Sequence, residues 1–141
     1  MKSKKEFVHE SFFKINGDKA IRTYKRGKKL GKGGFAKVYD LLSLDTNKLS
    51  AAKFIPKKSL SKPHEYVKIM KEIKIHRSMH HQNILAFEHY FEDSSHIYML
   101  LERCENGSLN DVIKRRKRLT EIEIQCILFQ LISGLIYLHS N

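Results

Sequence analysis

Leu30-Gly31-Lys32-Gly33-Gly34-Phe35-Ala36-Lys37-Val38-Tyr39 sets three glycines into a short turn between two apolar, strand-like ends. Glycine lacks a Cβ, so such a turn can adopt positive φ and bring backbone N–H groups up to anionic oxygens. The stretch therefore reads as a phosphate-holding loop, flanked by Leu30 and Val38. The residues beyond the loop decide its setting. A dinucleotide site needs a helix next and an acid about 20 residues on. Here Lys37-Val38-Tyr39-Asp40-Leu41-Leu42 favours strand, and residues 50–54 contain no acid. The Walker pattern fails as well, because Lys37 is not followed by Ser or Thr. This leaves a glycine flap between two antiparallel strands.

Three downstream features bear on the same chemistry. Ala51-Ala52-Lys53 closes a strand whose alternation puts Ala51 and Lys53 on one face, a small residue against a flat base and an ammonium toward phosphate. Glu72 lies on a predicted helix beside Ile69, Ile73 and Met79, placed to pair with Lys53. The apolar strand Ile97 to Leu101 runs into Leu101-Glu102-Arg103-Cys104, a hinge whose backbone groups can bond an adenine edge. Taken singly, these are a tight hairpin, a solvated lysine and a helix-surface glutamate. Their order along the chain is what gives them force.

In that order the sequence resembles the polo-like branch of the Ser/Thr protein kinases, from about Tyr24 to Asn141. The likeness rests on the loop Leu30 to Lys37, with Ala36 at the third glycine position, and on Tyr24-Lys25-Arg26-Gly27 before it. It rests also on Glu72-Ile73-Lys74-Ile75-His76-Arg77-Ser78, Tyr90-Phe91-Glu92-Asp93 and Leu101-Glu102-Arg103-Cys104. The resemblance implies an α+β kinase small lobe, a five-stranded antiparallel sheet with one helix, followed by the hinge and the first helices of a second lobe. It implies ATP with Mg²⁺ as cofactors and phosphorylation of protein Ser or Thr in cell division. Lys53 and Glu72 take the catalytic positions. Nucleotide contacts fall to Leu30, Gly31, Lys32, Gly33, Gly34, Phe35, Ala36, Lys37, Val38, Ala51, Lys53, Leu101, Glu102 and Cys104. Leu30, Val38, Ala51 and Leu101 are the expected upper wall and back of an adenine slot. The expected division is an extension over 1–23, the small lobe over 24–103, and the hinge with two helices over 104–141.

The composition is consistent with this reading. A length of 141 residues allows one domain with a sizeable core, about half of a two-lobed kinase domain. A formal net charge of +12 suits an anionic partner or a solvated basic surface. No aromatic-basic nucleic-acid signature accompanies it, so no specific nucleic acid is expected. Cys104 and Cys126 are too few for a disulfide framework, and Met1-Lys2-Ser3-Lys4-Lys5 has no apolar run after it. The expected location is cytoplasm or nucleus, with centrosome or spindle implied by the resemblance alone.

Along the chain, residues 1–22 are polar with scattered Phe7, Phe12 and Phe13 and read as disordered, or docked through those rings. Strands are expected over 28–30, 36–42 and 49–55, with a turn at Asp45-Thr46-Asn47. Ser61-Lys62-Pro63 opens a helix to about Met79. His76 and His80 are four apart on it, but Arg77 stands where the zinc motif needs glutamate, so no metal site is expected. A hairpin comes next, over 84–90 and 96–101. Ser108 with Asp111 and Thr120 with Glu123 mark two further helix starts. Lys114-Arg115-Arg116-Lys117-Arg118 reads as a cationic helix end rather than an import signal.

The helix from Glu121 to His139 is apolar nearly all round, interrupted by Gln130, Ser133 and Gly134, and is expected to be buried or covered by a partner rather than to span a membrane. No His-Arg-Asp-x-x-x-x-Asn and no Asp-Phe-Gly occurs in the sequence, so a truncation before the catalytic loop is expected. These residues alone should then be inactive, and the alternative reading is a non-catalytic nucleotide-binding or regulatory module.

Overall fold

The computed structural model describes residues 6–141. The chain divides into two compact units, one of residues up to Ser78 with Phe87–Arg103, the other of Met79–Ala86 with Cys104–Asn141.

The first unit is one antiparallel sheet and a helix. Its strands are β1 (Phe7–Phe13), β2 (Lys19–Lys32), β3 (Lys37–Ser43), β4 (Leu49–Pro56), β5 (Phe87–Glu92) and β6 (His96–Leu101), ordered β1-β2-β3-β4-β6-β5. The five-strand expectation is corrected to six, and the disordered reading is wrong for residues 7–13. The reason is local: Asn16-Gly17 forms the turn, with Gly17 at φ 85°, and residues 7–13 pair with β2 from Phe7↔Lys25 to Phe13↔Lys19. The three aromatics of β1 do not anchor it. Val8 and Glu10 are its buried residues, while Phe7 and Phe13 are exposed.

β2 is long because its first half pairs with β1 and its second with β3, and it shifts register between Arg26 and Gly31. The first and last strands of the order meet through side chains. Glu10 Oε1 lies 2.6 Å from His89 Nε2, which requires the sheet to curl until its edges face each other. Inside the curl, Val8, Tyr24, Leu41, Ala52, Phe54, Phe91, Tyr98 and Leu100 form one core. Tyr24 donates to Glu10 at 2.8 Å, and burial pushes its hydroxyl up to about 12.

The opposite face of the sheet packs on α1 (Pro63–Ser78), and Ala36, Ile55, Ile73, Ile97 and Met99 form the second core there. Proline suits the first turn of α1, and Glu65 reaches back to accept from the Lys62 N–H at 2.9 Å. At the β5–β6 turn, Asp93 accepts from the N–H groups of Ser95 and His96, both at 2.7 Å, and from the Tyr98 hydroxyl at 2.8 Å. Burial opposes its charge, but these donors outweigh burial and hold the carboxyl at about 2.

The second unit carries α2 (Leu109–Arg116) and α3 (Glu121–Ser140), each opened by the expected capping box, at Ser108/Asp111 and Thr120/Glu123. Within this unit α3 meets the segment 79–86. The His80 N–H donates to the Tyr137 hydroxyl at 3.0 Å, Asn83 Nδ2 donates to Gln130 at 3.3 Å, and Asn83 O stands 3.3 Å from where a Cβ on Gly134 would sit. Gly134 is the buried residue of α3, and Ile122, Phe129, Leu131, Ile132 and Ile136 are all more than half exposed. The sequence expectation of a buried helix is not met within these residues. α3 is long and apolar enough to cross a membrane, a property it shares with core helices of soluble proteins.

Candidate active site

Strand register assigns the site to one face of the sheet. β3 pairs with β4 at Val38↔Lys53 and β4 with β6 at Ala51↔Leu101 and Lys53↔Met99. Since side chains alternate along each strand, Val38, Ala51, Lys53, Met99 and Leu101 share a face, the one that packs on α1. α1 brings Glu72 to the same place. Its carboxylate stands 2.6 Å from Lys53 Nζ, with both side chains partly open to solvent. Ile69 and Ile73 flank Glu72 in the helix and hold that stripe against the second core. The pair is therefore positioned by packing on both sides.

At such a distance the ammonium is oriented but not consumed, because a single carboxylate uses one of three N–H donors. The rest can meet an anion arriving from the open side. A 2.6 Å contact between partly exposed groups contributes little to stability, on the order of 0–1 kcal/mol. Orientation is its physical effect.

The glycine loop spans residues 33–36 between β2 and β3, closed by the Gly33 N–H to Ala36 carbonyl bond at 2.8 Å. The sequence argument of positive φ in this loop is corrected. Among the described glycines only Gly17 and Gly107 have it. A Cβ built on Gly31 or Gly34 meets no atom within 4 Å, and on Gly33 only the Ala36 carbonyl at 3.8 Å, so the protein itself leaves room for a side chain at all three. Phe35 projects into solvent, 71% exposed.

The structure brings Val38, Ala51, Lys53, Glu72 and Leu101 together, with Leu30 and Gly31 at the end of β2 beside Val38. It separates others. Lys32, Gly33, Gly34, Phe35, Ala36 and Lys37 also line a cavity with Tyr39, Phe54 and Tyr98, residues of the opposite sheet face. Glu102 is an exposed residue just past β6, and Cys104 belongs to the second unit. Cys104 and Cys126 form no disulfide.

Sequence reasoning passed over Asp40 and Arg103. Asp40 is buried on β3, and Arg103 Nε donates to it at 2.5 Å, tying the first residues after β6 to the strand behind the loop. An isolated acid in the apolar run Val38 to Leu42 was the available signal, since a buried carboxylate needs a cationic partner. Glu10 was equally legible as the inward residue of β1 once the Asn16-Gly17 turn is recognised. Among the described residues no group of three or more His, Cys, Asp or Glu is placed to hold a metal.

The protein kinase domain family matches residues 24–141. The chain is 54% identical over 134 residues to the probable serine/threonine-protein kinase CCRP1 of Zea mays, covering 95% of this chain and 21% of that protein. It is 52% identical over 120 residues to the serine/threonine-protein kinase PLK2 of Mus musculus, covering 85% and 18%. To the serine/threonine-protein kinase polo of Drosophila melanogaster it is 45% identical over 120 residues, covering 85% and 21%. The chain spans about a fifth of the length of these relatives. A kinase match from Tyr24 onward, on a sheet that sets a lysine–glutamate pair beneath a glycine loop, has one reading: the chain belongs to the protein kinase family, and its similarity runs to the polo-like Ser/Thr members.

Proposed function

We propose that residues 24–103 are the ATP-holding part of a polo-like Ser/Thr protein kinase, acting on protein substrates in cell-division control in the cytoplasm or nucleus. The observation that carries the reading is the Lys53–Glu72 pair at 2.6 Å on the face shared by Val38, Ala51 and Leu101. In this reading the adenine lies against Val38, Ala51 and Leu101, and the Glu102 backbone meets its edge. The loop covers the phosphates from above. Lys53 holds α- and β-phosphate oxygens while Glu72 fixes its direction, as catalysis by positioning and electrostatics requires. ATP supplies the transferred phosphoryl group, and Mg²⁺ would neutralise charge on its phosphates. The aspartate that accepts the substrate proton and the metal ligands belong to motifs these 141 residues do not contain, so alone they should bind nucleotide weakly and transfer nothing.

The test is Lys53→Met in a protein carrying this chain together with the family's catalytic and metal-binding loops. Phosphorylation of a protein substrate should fall at least about 100-fold. Glu72→Gln should lower it in the same direction, by less. A near-normal rate with Lys53→Met would remove Lys53 from the phosphate role.

A further inference from the structure

Behind the sheet, away from Lys53, lies a cavity of about 550 Å³ that shares the glycine loop with the nucleotide reading but takes its sheet walls from the opposite face. Its walls come from five strands and the loop: Val8 of β1, Arg26 of β2, Tyr39 of β3, Phe54 of β4, Tyr98 of β6, and Lys32 to Lys37. Register keeps it apart from the nucleotide face. Phe54 pairs with Tyr98 and Lys37 with Phe54, so these side chains point opposite to Lys53, which pairs with Val38 and Met99.

The chemistry of the walls is specific. Tyr39 meets Phe54 edge-on with ring centroids 5.0 Å apart, and Phe54 meets Tyr98 at 4.8 Å, so the floor is aromatic. Around it stand three cations, Arg26, Lys32 and Lys37, and no carboxylate lines the cavity. Arg26 already lies over the Tyr39 ring at 5.2 Å, its charge held at the edge of the aromatic surface. The nearby Asp93 carboxylate is engaged by Tyr98 and two backbone N–H groups. The volume suits a molecule of metabolite size, since ligand cavities run about 300–1,000 Å³. One wall residue, Val8, comes from a strand outside the residues matched to the kinase family.

We propose that this cavity is a second ligand site, which takes a small aromatic anion, the ring system laid on Tyr39, Phe54 and Tyr98 and its phosphate or carboxylate met by Arg26, Lys32 and Lys37. Its aromatic walls lie on the sheet face opposite to Lys53, and the glycine loop borders it.

The test is a titration of the 141-residue chain with 1-naphthyl phosphate, monitored by the anisotropy of the probe's own fluorescence. Saturable binding is expected, with an affinity at least tenfold above that of uncharged 2-naphthalenemethanol. Lys32 and Lys37 are exposed, so the double variant Lys32→Glu/Lys37→Glu should keep the fold and lose at least tenfold in affinity. Inorganic phosphate alone should not compete at equal concentration. Lys53→Met should bind the probe as the parent does. Equal affinity for the charged and neutral probes, no loss on charge reversal, competition by phosphate alone, or loss with Lys53→Met would each overturn the proposal.

Discussion

The two units bury their apolar residues to very different extents. In the first, a sheet curled onto itself and backed by α1 buries Leu41, Ala52, Ile55, Ile97 and Met99 to 1% exposure or less. In the second, α3 carries as apolar a sequence as any strand, yet Phe129 is 74% and Ile136 62% exposed. A long apolar helix thus does not by itself make a core. Glu10 and His89 join the two edges of the curled sheet, whereas within its unit α3 meets the short segment 79–86 and, through Glu123, Arg116 of α2. The first unit buries its own core, whereas the second leaves most apolar side chains of α3 exposed.

The largest expected effect is on that surface. Ile122, Phe129, Leu131, Ile132 and Ile136 are each more than half exposed, and at about 25 cal/mol per Å² covering roughly several hundred Å² there would be worth on the order of 10 kcal/mol. The 141-residue chain should self-associate or co-purify with another protein, and removal of residues 105–141 should restore a monomer by sedimentation while the first unit keeps its sheet signal. A soluble monomeric full chain with an aggregating shortened one would reverse the comparison.

Next in size is the sheet core. Leu41→Ala at a fully buried position should cost about 2–5 kcal/mol in denaturant unfolding. By contrast, Leu131→Ala on exposed α3 should cost below about 0.5 kcal/mol. Similar losses at both positions would erase the distinction between the units.

The smaller effects concern how the curl is held. Tyr24→Phe removes the donor to Glu10 and should cost about 1 kcal/mol. The Tyr24 hydroxyl is raised in the folded state to about 12, so its contribution is complete below pH 10 and is lost as pH rises toward 12. Tyr24→Phe should flatten that alkaline limb. Asp93 has the opposite sign. Its folded value is lowered to about 2, so its contribution is complete above pH 4 and fades as pH falls toward 2, and Asp93→Ala should flatten the acid limb. Unchanged pH profiles in both variants would mean these groups do not fasten the turns.

Particular residues show how far the sequence could be read. The positions of Lys53 and Glu72 come from alternation in β4 and from the apolar stripe of α1, because both are local periodicities. The capping residues Ser108 and Thr120 were legible for the same reason. β1 was not legible from its rings, of which Phe7 and Phe13 are exposed and Phe12 is half-buried; the signal lay in Asn16-Gly17. Its inward residues include a charge, Glu10, that pairing with Arg22, Tyr24 and His89 makes tolerable. The Asp40–Arg103 tie joins residues far apart in sequence, and no period announces it. The glycine loop sits where its sequence puts it, but its glycines do not turn left-handed.

The central claim is that nucleotide lies on the Lys53 face. Ala51→Leu fills the space between Val38 and Leu101 on that face and leaves Tyr39, Phe54 and Tyr98 untouched. In a calorimetric titration of the 141-residue chain with a non-hydrolysable ATP analogue, the account predicts weak binding by the parent and at least tenfold weaker binding by Ala51→Leu, with the fold intact by circular dichroism. Equal affinity of the two proteins would contradict it and move the nucleotide to another surface.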